Sequence, residues 1–274
     1  MILWLASYPK SGNTLLRSIL ATYFFSEDGI FNFNHLYKIG QFPSLIHFEN
    51  LGIDTTDSEQ IYSNIIKAQE IINSSSKQLK FFKTHNAMCK VGPYQFTSKK
   101  NTKGAIYLIR DPRDVLVSLS HHMGLDYEKT FKHMSSSYNY EYPSSGSKRY
   151  KKSLMGSWSD HYKSWKNFKS CKILIIKYED MILDELNTFK KIINYLNKID
   201  NTNFDDEKLK KALKQTQFKE LQKIEKNEGF SEKGQGEFFF RKGKIGVWKD
   251  EVSNDIIKQI EKLFGKEMSE LGYL

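Results

Sequence analysis

The sequence predicts an α/β fold, a parallel central sheet flanked by helices, and three observations carry that expectation. Short apolar runs at 2–6, 79–83, 104–109 and 173–177 alternate with helical patterns at about 13–25, 113–122, 153–169, 184–197 and 251–271. Strand–helix alternation of this kind argues for a parallel sheet covered on both sides. No stretch approaches the roughly twenty apolar residues of a membrane span. No repeat or break in composition marks a second domain, so residues 1–274 read as one domain, long enough for a substantial core.

The first run leads into Ser7-Tyr8-Pro9-Lys10-Ser11-Gly12-Asn13-Thr14-Leu15-Leu16-Arg17-Ser18. A strand, a tight turn carrying Lys and Gly, and a helix opening together hold phosphate. The turn points backbone N–H groups beyond the strand end, the helix that begins near Asn13 adds its positive dipole end, and Lys10 adds a full charge. The order of residues is not that of a Walker A loop. The second run ends in Lys83-Thr84-His85. A lone His after a strand is more often structural than catalytic, and the seven His show no metal-ligand spacing.

The third run reaches Arg110-Asp111-Pro112, which suits a helix start with Pro in the first turn. Arg110 then ends the strand and Ser118 lies about two turns into the helix. Read alone, these residues favour an Arg110–Asp114 ion pair with Ser118 on the helix surface. The fourth run leads into Tyr178. In parallel sheets ligands bind beyond the carboxyl ends of the strands, and Lys10, Lys83–His85, Arg110 and Tyr178 all fall there.

Two regions match no chemistry. Residues 24–78 are mixed and aromatic (Phe24, Phe25, Phe31, Phe33, Tyr37, Phe42 and Phe48), and 123–152 include the polar, Tyr-rich stretch from Ser135 to Gly146. Long loops beside a site serve as lids, so 123–152 is expected to be a mobile one. Arg241-Lys242-Gly243-Lys244-Ile245-Gly246 reads as a basic turn, and Ile256, Ile260, Leu263, Phe264 and Met268 read as the core face of the last helix.

Tyr8-Pro9-Lys10-Ser11-Gly12-Asn13-Thr14 resembles the 5′-phosphosulfate loop of the soluble sulfotransferases, usually Tyr-Pro-Lys-Ser-Gly-Thr-Thr. Those enzymes take 3′-phosphoadenosine 5′-phosphosulfate as donor. Three more segments resemble the family. Arg110 and Ser118, eight positions apart, match its 3′-phosphate site. Arg241, Lys242 and Gly243 match its Arg-Lys-Gly-x-x-Gly-Asp-Trp-Lys motif, which closes over the 3′-phosphate, with Val247 in place of the Asp. Lys83-Thr84-His85 resembles its catalytic segment, whose His is the general base; Asn86-Ala87 stand where many members have Leu-Pro.

Weaker echoes are Tyr178-Glu179-Asp180, Thr216-Gln217-Phe218 and Gly156-Ser157-Trp158-Ser159-Asp160-His161. The first two imply that Tyr178, Thr216 and Phe218 border the adenine. Leu15 replaces a Trp that often stacks there; it covers a purine face without the aromatic quadrupole, so weaker stacking is expected.

The resemblance runs from residue 2 to about 249. It implies a P-loop nucleotide-kinase-like sulfotransferase fold, with the segments at about 24–78 and 123–152 binding the acceptor. The implied reaction is in-line transfer of a sulfuryl group to a hydroxyl or amine of a small-molecule or glycan acceptor. His85 takes the acceptor's proton, Lys10 and Lys83 stabilise charge, and the N–H groups from Ser11 to Thr14 cradle the 5′-phosphate. No metal is required. The family's dimer segment, Lys-x-x-x-Thr-Val-x-x-x-Glu, is absent after Lys249, which leaves the oligomeric state open.

The net charge is +10, from 42 basic and 32 acidic side chains. The basic residues are scattered and interleaved with acids, which places nucleic acid well behind a polyanionic donor as the partner. A P-loop kinase remains an alternative that would need a Mg²⁺ ligand pair, and a non-catalytic polyanion binder is another. Cys89 and Cys171 sit far apart, with no Cys-x-x-Cys, and the N-terminus does not read as a signal peptide. The expected compartment is the cytoplasm.

Overall fold

The computed structural model describes residues 1–76, 78–141, 153–200 and 204–274, without the side chain of residue 141. Its strands are β1 (Ile2–Ser7), β2 (Gly40–Gln41), β3 (Lys80–Thr84), β4 (Lys90–Val91), β5 (Tyr94–Gln95), β6 (Thr102–Ile109), β7 (Tyr140–Glu141), β8 (Ser153–Leu154) and β9 (Ile173–Lys177). Five of them form one sheet in the order β2-β3-β1-β6-β9, while β4 pairs β5 and β7 pairs β8, each pair antiparallel. The pairings β2–β3, β3–β1 and β1–β6 are parallel, with Ala6 opposite Thr84 and Tyr107. Every residue of β1 is buried, which is why its sequence shows no polar alternation.

The helices are α1 (Asn13–Phe25), α2 (Ser58–Ser63), α3 (Ile65–Ser74), α4 (Pro112–Met123), α5 (Tyr127–Ser135), α6 (Trp158–Lys166), α7 (Tyr178–Leu183), α8 (Glu185–Asp200), α9 (Asp206–Gln215), α10 (Phe218–Glu228), α11 (Trp248–Glu251) and α12 (Asn254–Leu271). The four apolar runs are strands, as expected. The helix expected over 153–169 is shorter: Ser153 and Leu154 belong to β8, Gly156 has φ 67, and the Ser157 hydroxyl accepts the Asp160 N–H to open α6. Segment 123–152, expected to be a mobile lid, contains α5, and its residues 142–152 lie outside the described residues.

The chain packs as two compact units, each assembled from three stretches: Met1–Tyr8, Ile39–Leu108 and Ser136–Ile175 in one, Pro9–Lys38, Ile109–Ser135 and Ile176–Leu274 in the other. The core of the first centres on Trp4, whose ring lies 5.0 Å from Phe96 and 5.7 Å from Phe42 and whose N–H donates to Thr102 Oγ1 at 3.0 Å. Phe42 and Phe48, aromatics with no chemical assignment from sequence, are buried in this core. In the second unit Phe33 stacks on Phe230 at 4.6 Å, and the buried Arg113 ties α4 to α12 by donating to Asp111 and Glu261.

The buried stripe of α12 is Ile256, Ile260, Phe264, Glu267, Met268 and Leu271. Leu263, expected in that stripe, is 51% exposed. At about 3.6 residues per turn it falls at the edge of the arc the others define. Phe264→Ala is expected to cost about 3–5 kcal/mol in denaturant unfolding, and Leu263→Ala no more than about 0.5 kcal/mol. Equal costs would mean that the helix buries the wider face.

Candidate active site

In the unit that holds α1, the loop into the helix uses two left-handed residues, Lys10 at φ 65 and Gly12 at φ 97. The conformation is uncommon for a lysine. Gly12 is required twice, by its φ and because a Cβ there would lie 2.5 Å from the Tyr178 ring. No side chain caps α1, and the hydroxyl of the fully buried Ser11 has no hydrogen-bond partner among the described residues. An uncapped helix opening with an unsatisfied hydroxyl fits a phosphate group. The Lys10 ammonium lies 3.8 Å over the Phe239 ring. Leu15 is half-buried, and so is Ser118 on α4.

Arg110 binds this loop to the basic turn. Its Nη1 donates to the Lys10 carbonyl at 3.3 Å, its Nη2 to the Lys244 carbonyl at 3.1 Å, and its guanidinium lies 4.2 Å over the Tyr178 ring. The ion pair with Asp114 also forms, at 3.8 Å. Asp114 does more than the sequence suggested: its carboxylate accepts the N–H of Gly246 at 2.8 Å and of Trp248 at 3.2 Å. The two amides flank Val247, the residue that departs from the family motif.

Gly243, at φ 60, lies so close to Phe218 that a Cβ would meet the ring at 2.3 Å. Arg241 and Lys242 both pair with Glu251. His121, half-buried at the last turn of α4, has its pKa lowered by burial and by the cations Arg241 and Lys10. Thr216 is fully buried and its hydroxyl donates to the Ala212 carbonyl at 2.8 Å, so the side chain closes α9.

Arg17 and Glu232 carry no motif, and the one hint was an Arg set among the apolar residues of α1. Arg17, its side chain 4% exposed, donates from Nη2 to both Glu232 oxygens at 2.7 Å and to the Thr14 hydroxyl at 3.2 Å. Thr14 in turn donates to Glu232 at 3.3 Å. The segment bearing Arg241 is therefore tied to the first turn of α1.

In the unit that holds β1 and β3, Lys83 is buried near the end of β3 and His85 follows the strand. His85 Nδ1 donates to the Ser7 carbonyl at 2.7 Å. With the proton assigned to Nδ1, the neutral ring carries its lone pair on Nε2, the form a general base needs. Asn86-Ala87, in place of the family's Leu-Pro, are held by hydrogen bonds. The Asn86 carbonyl accepts from the Trp165 indole at 3.0 Å, its side-chain oxygen accepts the Leu154 N–H at 3.0 Å, and the Ala87 N–H donates to the Leu154 carbonyl at 2.7 Å. The His85 carbonyl accepts from Nε2 of the buried His161 at 3.1 Å.

Among the described residues no group of three or more His, Cys, Asp or Glu could hold a metal ion. Asp114→Asn removes one of two acceptors for part-buried amides, a loss of about 1–3 kcal/mol. Faster hydrogen exchange at Gly246 and Trp248 is the expected result; unchanged exchange would show that Asp114 does not hold the turn.

A family model for the sulfotransferase domain matches residues 2–272. The amine sulfotransferase of Oryctolagus cuniculus is 25% identical over 277 residues, covering 96% of this chain and 79% of that protein. The luciferin sulfotransferase of Photinus pyralis is 26% identical, covering 96% and 70%. Human sulfotransferase 2A1 is 29% identical over 211 residues, covering 72% and 67%. Among solved structures, retinol dehydratase in complex with androsterone and the inactive cofactor PAP superposes with a TM-score of 0.61 at 20% identity, covering 97% of this chain and 80% of that one. A mouse sulfotransferase complexed with PAP gives the same score at 21% identity, covering 97% and 84%. Those neighbours share the α/β fold with its parallel sheet flanked by helices. With the family model spanning nearly its whole length, the chain belongs to the sulfotransferase family and is a sulfotransferase.

Proposed function

We propose that this enzyme moves a sulfuryl group from 3′-phosphoadenosine 5′-phosphosulfate to a hydroxyl or amine of a small-molecule or glycan acceptor, with His85 as general base. The observation that carries the reading is the hydrogen bond from Arg110 to the Lys10 carbonyl at 3.3 Å. It joins the loop suited to a 5′-phosphate to the arginine suited to a 3′-phosphate, and the donor presents both groups on one nucleotide. That donor supplies the activated sulfuryl group.

Lys10 and the N–H groups of Ser11, Gly12, Asn13 and Thr14 hold the 5′-phosphate end, and Lys10 offsets the charge that grows on the leaving oxygen. Arg110, Ser118, Arg241, Lys242 and Gly243 take the 3′-phosphate. Leu15, Tyr178 and Phe218 border the adenine, with Thr216 supporting that wall through its backbone and methyl group. Lys83 stabilises charge on the transferring group, and Nε2 of His85 takes the proton of the acceptor.

Relatives named for an amine and for luciferin, and neighbours bound to androsterone and to retinol, support an organic acceptor. Acceptor binding is assigned to segments 24–78 and 123–152, within one sulfotransferase domain. No helix among the described residues is long and apolar enough to cross a membrane. The unpaired Cys89 and Cys171, whose thiols burial pushes up to about 11, support a cytoplasmic enzyme.

Calorimetric titration is expected to show tight binding of 3′-phosphoadenosine 5′-phosphate and weak binding of adenosine 5′-phosphate and of ATP with Mg²⁺. Preference for ATP would overturn the donor assignment. With labelled donor and a panel of 2-naphthol, androsterone and a primary alkylamine, His85→Ala is expected to lower kcat by about 100-fold or more with bisphosphate affinity nearly unchanged. Full turnover in that variant would remove His85 from the chemistry.

A further inference from the structure

We propose that His161, paired with Tyr107, is a positioning residue that fixes the peptide carrying His85 and thereby aims the His85 ring. The inference rests on His85 being the base. Strand β3 ends at Thr84, one residue short of His85, so sheet pairing does not hold that peptide. The Asn86 N–H of that peptide donates to the Thr84 hydroxyl at 3.1 Å, and its carbonyl is held by His161, which donates from Nε2 to the His85 oxygen at 3.1 Å. For this bond the proton must sit on Nε2, and Nδ1 then needs a donor. The Tyr107 hydroxyl supplies it at 2.9 Å.

Both residues are rigidly placed. Tyr107 is fully buried on β6, opposite Ala6, and its ring stacks on His161 at 5.6 Å and 28°. Tyr8 meets the imidazole edge-on, also at 5.6 Å. His161 opens on the first turns of α6, whose start Ser157 sets. Burial lowers the imidazole pKa to about 3, so the ring stays neutral and its Nε2–H is retained.

The composition of this chain of bonds argues for a task beyond packing. A fully buried imidazole must satisfy two polar atoms, whereas an apolar side chain would fill the same space with none. What the imidazole supplies, and an apolar residue would not, is a hydrogen-bond donor aimed at the His85 carbonyl. The His85 ring is anchored separately, by Nδ1 on the Ser7 carbonyl at 2.7 Å. Peptide and ring are thus fixed at two points, and moving either shifts Nε2. A displacement of about 1 Å at a catalytic group can cost about 100-fold in rate.

The test compares His161→Phe, His161→Gln, His85→Ala and the His85→Ala/His161→Phe double variant with the parent enzyme. The Gln amide can donate from the place of Nε2, and Phe cannot. Transfer from labelled donor is measured on the 2-naphthol, androsterone and alkylamine panel, and bisphosphate affinity by calorimetry. His161→Phe is expected to lower kcat by about 30-fold or more with affinity held within about twofold, and His161→Gln to recover to within about fivefold of the parent.

On the His85→Ala background, His161→Phe is expected to change the residual rate by less than about twofold, since a residue acting through His85 has nothing left to act on. In ¹⁵N-histidine spectra, the His85 signals are expected to pass from one tautomer in the parent to a mixture in His161→Phe. Parent-like turnover in His161→Phe, or an equal loss on both backgrounds, would overturn the proposal. Full turnover in His85→Ala would instead overturn the base assignment beneath it. Should His161→Phe fail to fold, Tyr107→Phe takes its place: mixed His161 tautomers and a lowered kcat support the proposal, and parent-like values for both overturn it.

Discussion

The Lys10 loop and the Lys244 turn both depend on how the guanidinium of Arg110 is satisfied. Two buried arginines open the α4 segment three positions apart, and the structure treats them differently. Arg113 donates to both oxygens of Asp111, to Glu261 at 2.6 Å and to the Tyr273 carbonyl, and it lies 4.0 Å over Trp248. Its charge is neutralised by close carboxylates, which makes it a structural tie. Arg110 bonds two carbonyl oxygens and an aromatic face, with its carboxylate neighbour 3.8 Å away. Carbonyls satisfy N–H donors without cancelling charge, so these two bonds leave the guanidinium charge in place. Asp114 can stand off because it is already engaged by the amides of Gly246 and Trp248.

The outer cations follow a different logic. Arg241 and Lys242 share Glu251 at the surface, where such pairs contribute about 0–1 kcal/mol. Contacts that weak are readily exchanged for a phosphate, so the pairing holds the side chains in place without competing strongly with a ligand. The set of Arg17, Thr14 and Glu232, with the arginine buried and the carboxylate partly so, closes a long stretch of chain onto α1. It keeps the Arg241 segment in register with the Lys10–Gly12 loop.

Much of this was legible in the sequence where local physics decides. An unbroken apolar run specified β1, Asp111 with Pro112 specified the start of α4, and Lys10 with Gly12 specified the loop. Lys10, Arg110 and Tyr178, chosen as strand-end residues, do meet through hydrogen bonds and ring contact. What stayed hidden depends on partners distant in the chain. Asp114 meets amides more than 130 positions away, Arg17 meets Glu232, and His161 meets both Tyr107 and the His85 carbonyl. No spacing rule reaches so far. Thr216 shows the opposite case: a segment match located it, and its hydroxyl bonds locally to Ala212, as a threonine at a helix end does.

The opening of α1 joins the structural and chemical arguments. α4, α6 and α9 each begin with a side chain that accepts an N–H of the first turn, from Asp111, Ser157 and Asp205. Such a cap contributes about 0.5–2 kcal/mol. Gly12 gives α1 none, and other helices here also lack one, so the missing cap says little by itself. Its meaning comes from its neighbours: a buried Ser11 hydroxyl with no partner among the described residues, a lysine held at φ 65, and a glycine pressed on Tyr178. The first two lower stability, and all three features occur within three consecutive residues. Folding alone would have favoured a cap, a relaxed Lys10 and a bonded Ser11. An anion seated on the loop would engage the hydroxyl, the ammonium and the helix opening at once, and that shared requirement explains why the three features lie side by side.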